Sequence, residues 1–397
     1  MLSVDDAAAR VKAAFAPLAS ERVSLSAAAN RVLAVDVISG VDQPPYAVSA
    51  MDGYAVRLVD SHGPGANLRV IGAAPAGHPF EGVIGAGQAV RIFTGAVVPQ
   101  GADAILIQED AEVRGDAVAT TKPASAKHIR AAGLDFRKGA LLKSAGMQLT
   151  ARDLALLAAA DISAVDVRRR PRVAFAATGD ELSRPGEARK AGGIVASSGY
   201  GLSALIETWG AEARDLGILP DRIEAIGTLP SLASGADLIV TLGGASVGDH
   251  DLVRTALQPK GFVLDFWKIA MRPGKPLVVG RLGATPFIGL PGNPVSTLVC
   301  AMVFVRPAID AMLGLQAERP LDAARTAGGL AANDARQDYL RARLFRRDGQ
   351  LWTEAFRVQD SSMLSALAAA DCLILRRPNA PVAQAGDQVS VLRLDGV

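Results

Sequence analysis

The run Leu238-Ile-Val-Thr-Leu242 carries almost no polar side chain and shows no alternation. A strand that reads this way is covered on both faces, which points to a parallel sheet between helical layers. It runs straight into Gly243-Gly-Ala-Ser-Val-Gly-Asp-His-Asp251. Gly243, Gly244 and Gly248 let backbone approach a ligand with N–H groups turned outward, the geometry of an anion-binding nest. Ser246 adds a hydroxyl. Asp249 and Asp251 are acceptors only and repel a bare phosphate, so their presence suggests Mg²⁺ between protein and ligand.

Two further segments belong to the same unit. Lys268-Ile-Ala-Met-Arg-Pro-Gly-Lys-Pro276 carries the cations Lys268, Arg272 and Lys275 on a loop stiffened by two prolines. Gly289-Leu-Pro-Gly-Asn-Pro294 lies between strand-like Phe287-Ile288 and an apolar helix starting near Val295. Asn293 suits an N-cap and Pro294 a first helical position, so Pro291 to Pro294 deliver the positive end of a helix dipole. Such ends bind anions.

The chain has 397 residues, enough for roughly two to four domains. Half of it is hydrophobic and the net charge is only +2, the balance of a soluble globular protein. No basic arm or basic–aromatic interleaving marks nucleic acid as the main ligand. The start, Met-Leu-Ser-Val-Asp-Asp, has no apolar signal core, and the longest apolar run, Val295 to Val305, is too short for a bilayer. No membrane association is expected. Cys300 and Cys372 read as buried thiols of a cytoplasmic protein. His62, His78, His128 and His250 show no metal-ligand spacing.

Along the chain, a helical pattern from Ser3 to about Ala34 puts Val4, Ala8, Val11 and Phe15 on one face, and the chain then turns extended through Val41. Gln43-Pro-Pro-Tyr breaks any regular element, and short β-type runs such as Arg69-Val-Ile-Gly fill the stretch to Ile129. Thr150 caps a second helix, Ala151 to Ala160, expected to pack with the first. From Pro171 strands near 172–177, 214–219 and 237–242 alternate with helices near 199–210 and 222–234, implying a parallel, doubly wound sheet with ligands beyond its carboxyl ends. Thr178, Gly179, Asp180 and Glu181 open that rim, and Asp221 follows the second strand there. β-type runs return after Leu315. The division is therefore 1–46 with 130–170, an inserted β module 47–129, an α/β domain 171–314 and a β domain 315–397.

Read together, Ser49-Ala-Met-Asp-Gly-Tyr-Ala55, Arg91-Ile-Phe-Thr-Gly-Ala96, Thr178-Gly-Asp-Glu-Leu182, Thr241 to Gly248 with Asp251, Lys268 to Pro276 and Gly289 to Pro294 closely resemble the molybdopterin molybdenumtransferases, a family that includes the C-terminal domain of gephyrin. The resemblance spans essentially the whole chain. It implies a multidomain α/β plus all-β fold: a three-layer α/β molybdopterin-binding domain, a helical N-terminal domain, an inserted β module and a C-terminal β-barrel-like domain. It also implies a Mg²⁺-dependent reaction in which molybdate is inserted into adenylylated molybdopterin and AMP leaves. On that reading Glu181, Asp251, Lys268, Lys275 and Asp52 are catalytic, and Glu181, Asp251 and Asp249 carry the metal. Substrate contacts fall to Thr94, Thr178, Gly179, Asp180, Ser198, Asp221, Gly243, Gly244, Ser246, Gly248, Arg272 and Pro291 to Pro294. Arg341 and Ser361 match an outer site.

The resemblance further implies a homodimer in which Asp52 and Thr94 reach the site across the dimer. Contacts with a molybdopterin adenylyltransferase and with recipient molybdoenzymes are implied too. Three positions depart from the family pattern: Ser198 where Asn is common, Arg272 where Lys is common, and Asp360 where Gly is usual. Two other functions compete: an adenylyltransferase, which shares the α/β domain, and a non-catalytic carrier or scaffold of the pterin cofactor.

Overall fold

The computed structural model describes residues 1–244, 252–316 and 320–394. Its central sheet runs in the order Glu212–Leu219, Arg172–Thr178, Leu238–Leu242, Thr285–Leu290, Val278–Leu282, Phe262–Trp267. The first four strands are parallel. All five residues of Leu238–Leu242 are buried, and the period of two splits each strand between two cores. Val173, Phe175, Leu238 and Val240 face Leu202, Val299 and Phe304 on one side. Ala174, Ala176, Ile239 and Phe287 face Leu229 and Leu257 on the other. Both faces are dry, which is why no alternation appears in the sequence.

The sheet is not wholly parallel as expected: Val278–Leu282 runs against its neighbours on both sides, so the last two pairings are antiparallel. Leu282 pairs directly with Thr285, leaving a two-residue loop in which Gly283 takes φ 61°. A loop that short makes a hairpin, because a parallel return needs a crossover of a dozen residues or more.

The helix Pro294–Leu313 runs for 20 residues beneath the sheet. Arg306 does not end it. That side chain is 8% exposed, donates to Asp310 at 2.9 Å one turn on, and lies over the Trp209 ring. Among the described residues this helix alone has the length and apolarity to cross a bilayer, and 72% of its apolar window is buried in the fold, as in a core helix.

At the N-terminus the helix spans only Val4–Ala13, capped by Ser3. Pro17 cannot continue it, and Ser20–Ser24 instead pairs antiparallel with Ala164–Arg168. Val4, Ala7 and Val11 join the Phe304 core. The helix Ala151–Ala159 starts at a Thr150–Asp153 capping box, and its Leu157 packs in a different core with Leu33, Val165 and Val167. The two helices thus do not pack together as expected, because each apolar stripe finds another surface.

A narrow two-stranded ribbon, Val37–Ile38 with Leu141–Lys143 and Val48–Ser49 with Ile129–Arg130, leads to a six-stranded sheet built between Gly53 and Thr120. At the other end of the chain, Gln337–Arg347, Gln350–Ala355, Asp322–Thr326, Gln388–Arg393 and Cys372–Arg376 pair in that order and close back on Gln337–Arg347. That ring is a small five-stranded barrel, which removes its own edges.

Candidate active site

The carboxyl ends of Arg172–Thr178, Leu238–Leu242 and Thr285–Leu290 meet at one rim, around a cavity of about 660 Å³. Each strand hands over to a turn whose residues suit close approach. Gly243 and Gly244 have φ of 95° and 67°, and a Cβ on Gly244 would sit 2.3 Å from the Val253 side chain. Only glycine satisfies both demands. Against them lies the Thr178 hydroxyl, buried and without a hydrogen-bond partner. A buried orphan of this kind calls for a partner from outside the protein.

Acids and dipoles share the wall. Glu181 folds back so that its carboxylate occupies the space a Cβ on Gly179 would take, 2.6 Å away. Asp221 faces the same cavity. Burial first, then the charges of Glu181 and Asp180, push its carboxyl above the usual range. The helix Ser198–Thr208 begins at the cavity, and Ser197 gives it no side-chain cap. Its first-turn N–H groups are the ordinary anion-binding end of a helix.

Pro291, Gly292 and Asn293 line the wall opposite. As expected, Asn293 precedes Pro294 at the first helical position, but its side chain does not cap. The amide instead donates to Ser361 Oγ at 3.0 Å, and Thr297 Oγ1 donates to the Pro291 carbonyl at 2.6 Å to set the turn.

Lys275 is the only cation of its loop on the cavity wall. Lys268, at φ 62°, stacks its ammonium on the Trp267 ring, 3.7 Å from the centroid. Arg272 turns to the barrel, donating from Nε to Asp338 Oδ1 at 2.9 Å and from Nη2 to the other carboxylate oxygen. Neither residue lines the cavity. Asp180 stays exposed on the rim, holding the Asp221 N–H.

Arg341 is 1% exposed, donates to the Asp360 carbonyl at 3.0 Å, and keeps an unpartnered Nε. Burial lowers its pKa, with Asp360 opposing. Among the described residues its link to the rim runs through Asp360, the adjacent Ser361 and Asn293.

Asp52 and Thr94 lie together on the β module, away from this wall. Asp52 accepts the Thr94 N–H at 2.7 Å and its hydroxyl at 2.8 Å. The N–H bond, then the hydroxyl, hold the carboxyl below its ordinary range. Ser246, Gly248, Asp249 and Asp251 lie outside the described residues.

The cavity also has an apolar side that sequence reading did not assign, with Leu182, Ile194, Val195 and Val253. Ile194 and Val195 are exposed, at 55% and 37%. A serine pair before an apolar helix marks a helix start, and on that signal Ser197 was legible beside Ser198.

Among the described residues no group of three or more His, Cys, Asp or Glu side chains is placed to hold a metal. Mg²⁺ needs only one or two protein carboxylates, since it keeps several waters. Glu181 and Asp221 meet that requirement. The upward-pushed Asp221 carboxyl is relieved by a cation, so the donor set fits the ion.

Comparison with known proteins agrees with this architecture. Residues 2–160 match the family described as MoeA N-terminal region (domain I and II), 174–311 the Probable molybdopterin binding domain, and 323–394 the MoeA C-terminal region (domain IV). A Haemophilus influenzae protein named molybdopterin molybdenumtransferase is 36% identical over 98% of both chains. A Nostoc protein of the same name is 40% identical over 75% of this chain and 70% of its own. A molybdopterin biosynthesis moeA protein from Pyrococcus horikoshii has a solved structure that superposes with a TM-score of 0.85 at 27% identity, covering 98% of this chain and 99% of that one.

Proposed function

Since the chain belongs to the molybdopterin molybdenumtransferase family of molybdenum cofactor biosynthesis, we propose that it inserts molybdate into adenylylated molybdopterin with release of AMP. One observation carries this reading. Lys275, the diglycine turn, two helix N-termini and an unpartnered buried hydroxyl at Thr178 converge on a cavity that also holds two carboxylates. That combination suits an anionic ligand brought in with a divalent cation.

In this mechanism Gly243, Gly244 and the Ser198 end of its helix bind the phosphate of the pterin, with the Thr178 hydroxyl as donor. Ile194 and Val195 cover the ring system and exclude water. Lys275 opposes the charge of molybdate or of the phosphoanhydride. One or two of Glu181, Asp221, Asp249 and Asp251 would hold Mg²⁺, the others serving the ligand. The ion, when bound, neutralises the phosphoanhydride and so favours its hydrolysis.

In a homodimer, Asp52 of the partner subunit and Thr94 of the partner subunit complete the site, and their mutual hydrogen bonds keep Asp52 ionised for that role. The reaction belongs in the cytoplasm, where the buried thiols Cys300 and Cys372, not joined in a disulfide, remain reduced. The adenylylated substrate comes from an adenylyltransferase, and the product goes to recipient molybdoenzymes.

The test is AMP release from adenylylated molybdopterin by the purified chain with Mg²⁺, with and without molybdate. Release that depends on molybdate and yields cofactor able to activate a molybdenum-free apoenzyme supports the transferase. Pterin binding without release supports a carrier, and formation of the adenylylated pterin from ATP supports an adenylyltransferase.

A further inference from the structure

The loop that brings Lys275 to the cavity is held from two distant parts of the chain. On one side Ala270 donates its N–H to the Leu2 carbonyl at 2.9 Å, and Leu2 bridges Ile269. On the other, Met271–Arg272 runs parallel to Gln337–Asp338 at the start of the longest barrel strand, and the Gln337 N–H donates to the Ala270 carbonyl at 2.8 Å. The loop also closes on itself, Ile269 N–H to the Lys275 carbonyl at 3.2 Å. Under it Met271 is fully buried. Gly274, at φ 110°, lies so near Cys300 that a Cβ would come within 2.3 Å of its sulfur.

The Arg272 side chain completes the attachment. Its fork takes both oxygens of Asp338, a residue only 4% exposed. Asn333 Oδ1 accepts from Nη2 at 3.3 Å, and Asp334 stands 3.6 Å from Nη1. A bidentate, charge-assisted pair on a buried carboxylate fixes direction as well as distance. The charge of Arg272 is thereby matched inside the protein, and Lys275 is left to meet the ligand.

We infer that Asp338 is a positioning residue. Through Arg272 it holds the cationic loop so that Lys275 stays at the cavity wall, and the C-terminal barrel thus governs anion binding at a cavity that none of its described residues lines. The identity of the anion rests on the proposed transferase reading; the attachment of the loop does not.

The test compares the full chain with Asp338→Asn, Arg272→Lys and the double variant. In Asp338→Asn, amide exchange over 269–276 speeds up, and Lys275 becomes severalfold more reactive to an amine-acylating reagent mapped by mass spectrometry. The molybdate concentration for half-maximal AMP release rises about tenfold while the maximal rate stays within about twofold, the pattern of lost ground-state binding. Arg272→Lys keeps the charge but not the fork and falls between. The double variant matches Asp338→Asn alone, because both act on one contact.

Unchanged exchange and unchanged Lys275 reactivity overturn the inference whatever the enzyme does. So does a maximal rate that falls together with the folded fraction at constant half-saturation. A wild-type chain without molybdate-dependent release sinks the transferase reading instead, and the exchange and acylation measurements still decide the role of Asp338.

Discussion

The Asn293 amide donates to the Ser361 hydroxyl at 3.0 Å, while the Ser361 carbonyl accepts the N–H of Val295 at 3.2 Å. A helix end that lines the cavity is therefore capped from the barrel, not from its own N-cap side chain. The two contacts tie a cavity wall to the C-terminal domain in the same way that Arg272 and Asp338 tie the cationic loop. Both attachments place barrel residues behind the site.

Removing either partner of the amide–hydroxyl bond tests this coupling. Asn293→Ala and Ser361→Ala each lower stability by about 0.5–1 kcal/mol, the usual net worth of a partly exposed hydrogen bond. In the double variant the losses overlap, giving a coupling of about 0.5 kcal/mol by urea unfolding. Fully additive losses would mean that the bond carries no energy.

Two glycines at the rim share a positive φ but differ in what an added methyl group meets. At Gly179 an added Cβ meets only the end of the Glu181 side chain, which can swing away. Gly179 itself has φ 153°, a backbone that an L side chain rarely adopts, so Gly179→Ala lowers stability by about 1 kcal/mol, displaces Glu181, and cuts AMP release at least about tenfold. At Gly244 the Cβ meets Val253 at 2.3 Å from a left-handed backbone, φ 67°. Gly244→Ala lowers both activity and stability, the latter by about 1–3 kcal/mol. Melting curves beside initial rates check this: Gly244→Ala, with the Val253 clash added to the strain, loses more stability than Gly179→Ala.

What the sequence made legible follows from how local each signal is. Burial on both faces is written into Leu238–Leu242 itself, and the Thr150–Asp153 capping box into four adjacent residues, so sheet and helix were readable. The expected helix to Ala34 failed because an alanine-rich run has helix propensity, while the pairing of Ser20–Ser24 with Ala164–Arg168 is decided by residues far along the chain. The hairpin at Gly283 was hidden for a similar reason: period alone does not give strand direction. At the site, the glycines and Lys275 were placed by motif. Arg272 was grouped with them as a cation, yet its partner Asp338 is 66 positions away. No spacing rule along the chain reveals that a charge has already been matched.

Acid sensitivity has an identifiable contributor in the helix Ala151–Ala159. Burial raises the Asp153 carboxyl, but Lys143 at 2.8 Å and the Thr150 hydroxyl and N–H outweigh it and hold the pKa at about 2. The folded value lies below the unfolded one, so this contribution is complete above about pH 4 and is lost as pH falls through the folded value. Asp153→Asn therefore destabilises by about 1–2 kcal/mol at neutral pH and much less near pH 2. Urea midpoints at the two pH values check it; an equal deficit at both would contradict the assignment.

Asp221 has the opposite sign. Burial, then Glu181, then Asp180 raise its carboxyl in the folded state. A raised acid binds its proton more tightly folded than unfolded, so stability is lost as pH rises from the unfolded pKa through the folded one. At neutral pH the ionised group is a standing cost in the empty protein. Asp221 is exposed at the rim and solvent screens that cost, so Asp221→Asn raises stability by no more than a few tenths of a kcal/mol, a small exchange of function for stability. Glu181→Gln gives a smaller gain, because it removes one of the charges acting on Asp221. If these acids serve Mg²⁺, millimolar Mg²⁺ raises the melting temperature of the wild type, since a ligand that binds only the folded state stabilises it. The same Mg²⁺ then leaves Asp221→Asn nearly unmoved, and AMP release by that variant drops at least about tenfold. A variant that melts later than wild type yet still responds fully to Mg²⁺ would place the ion on other residues while keeping the electrostatic account of Asp221.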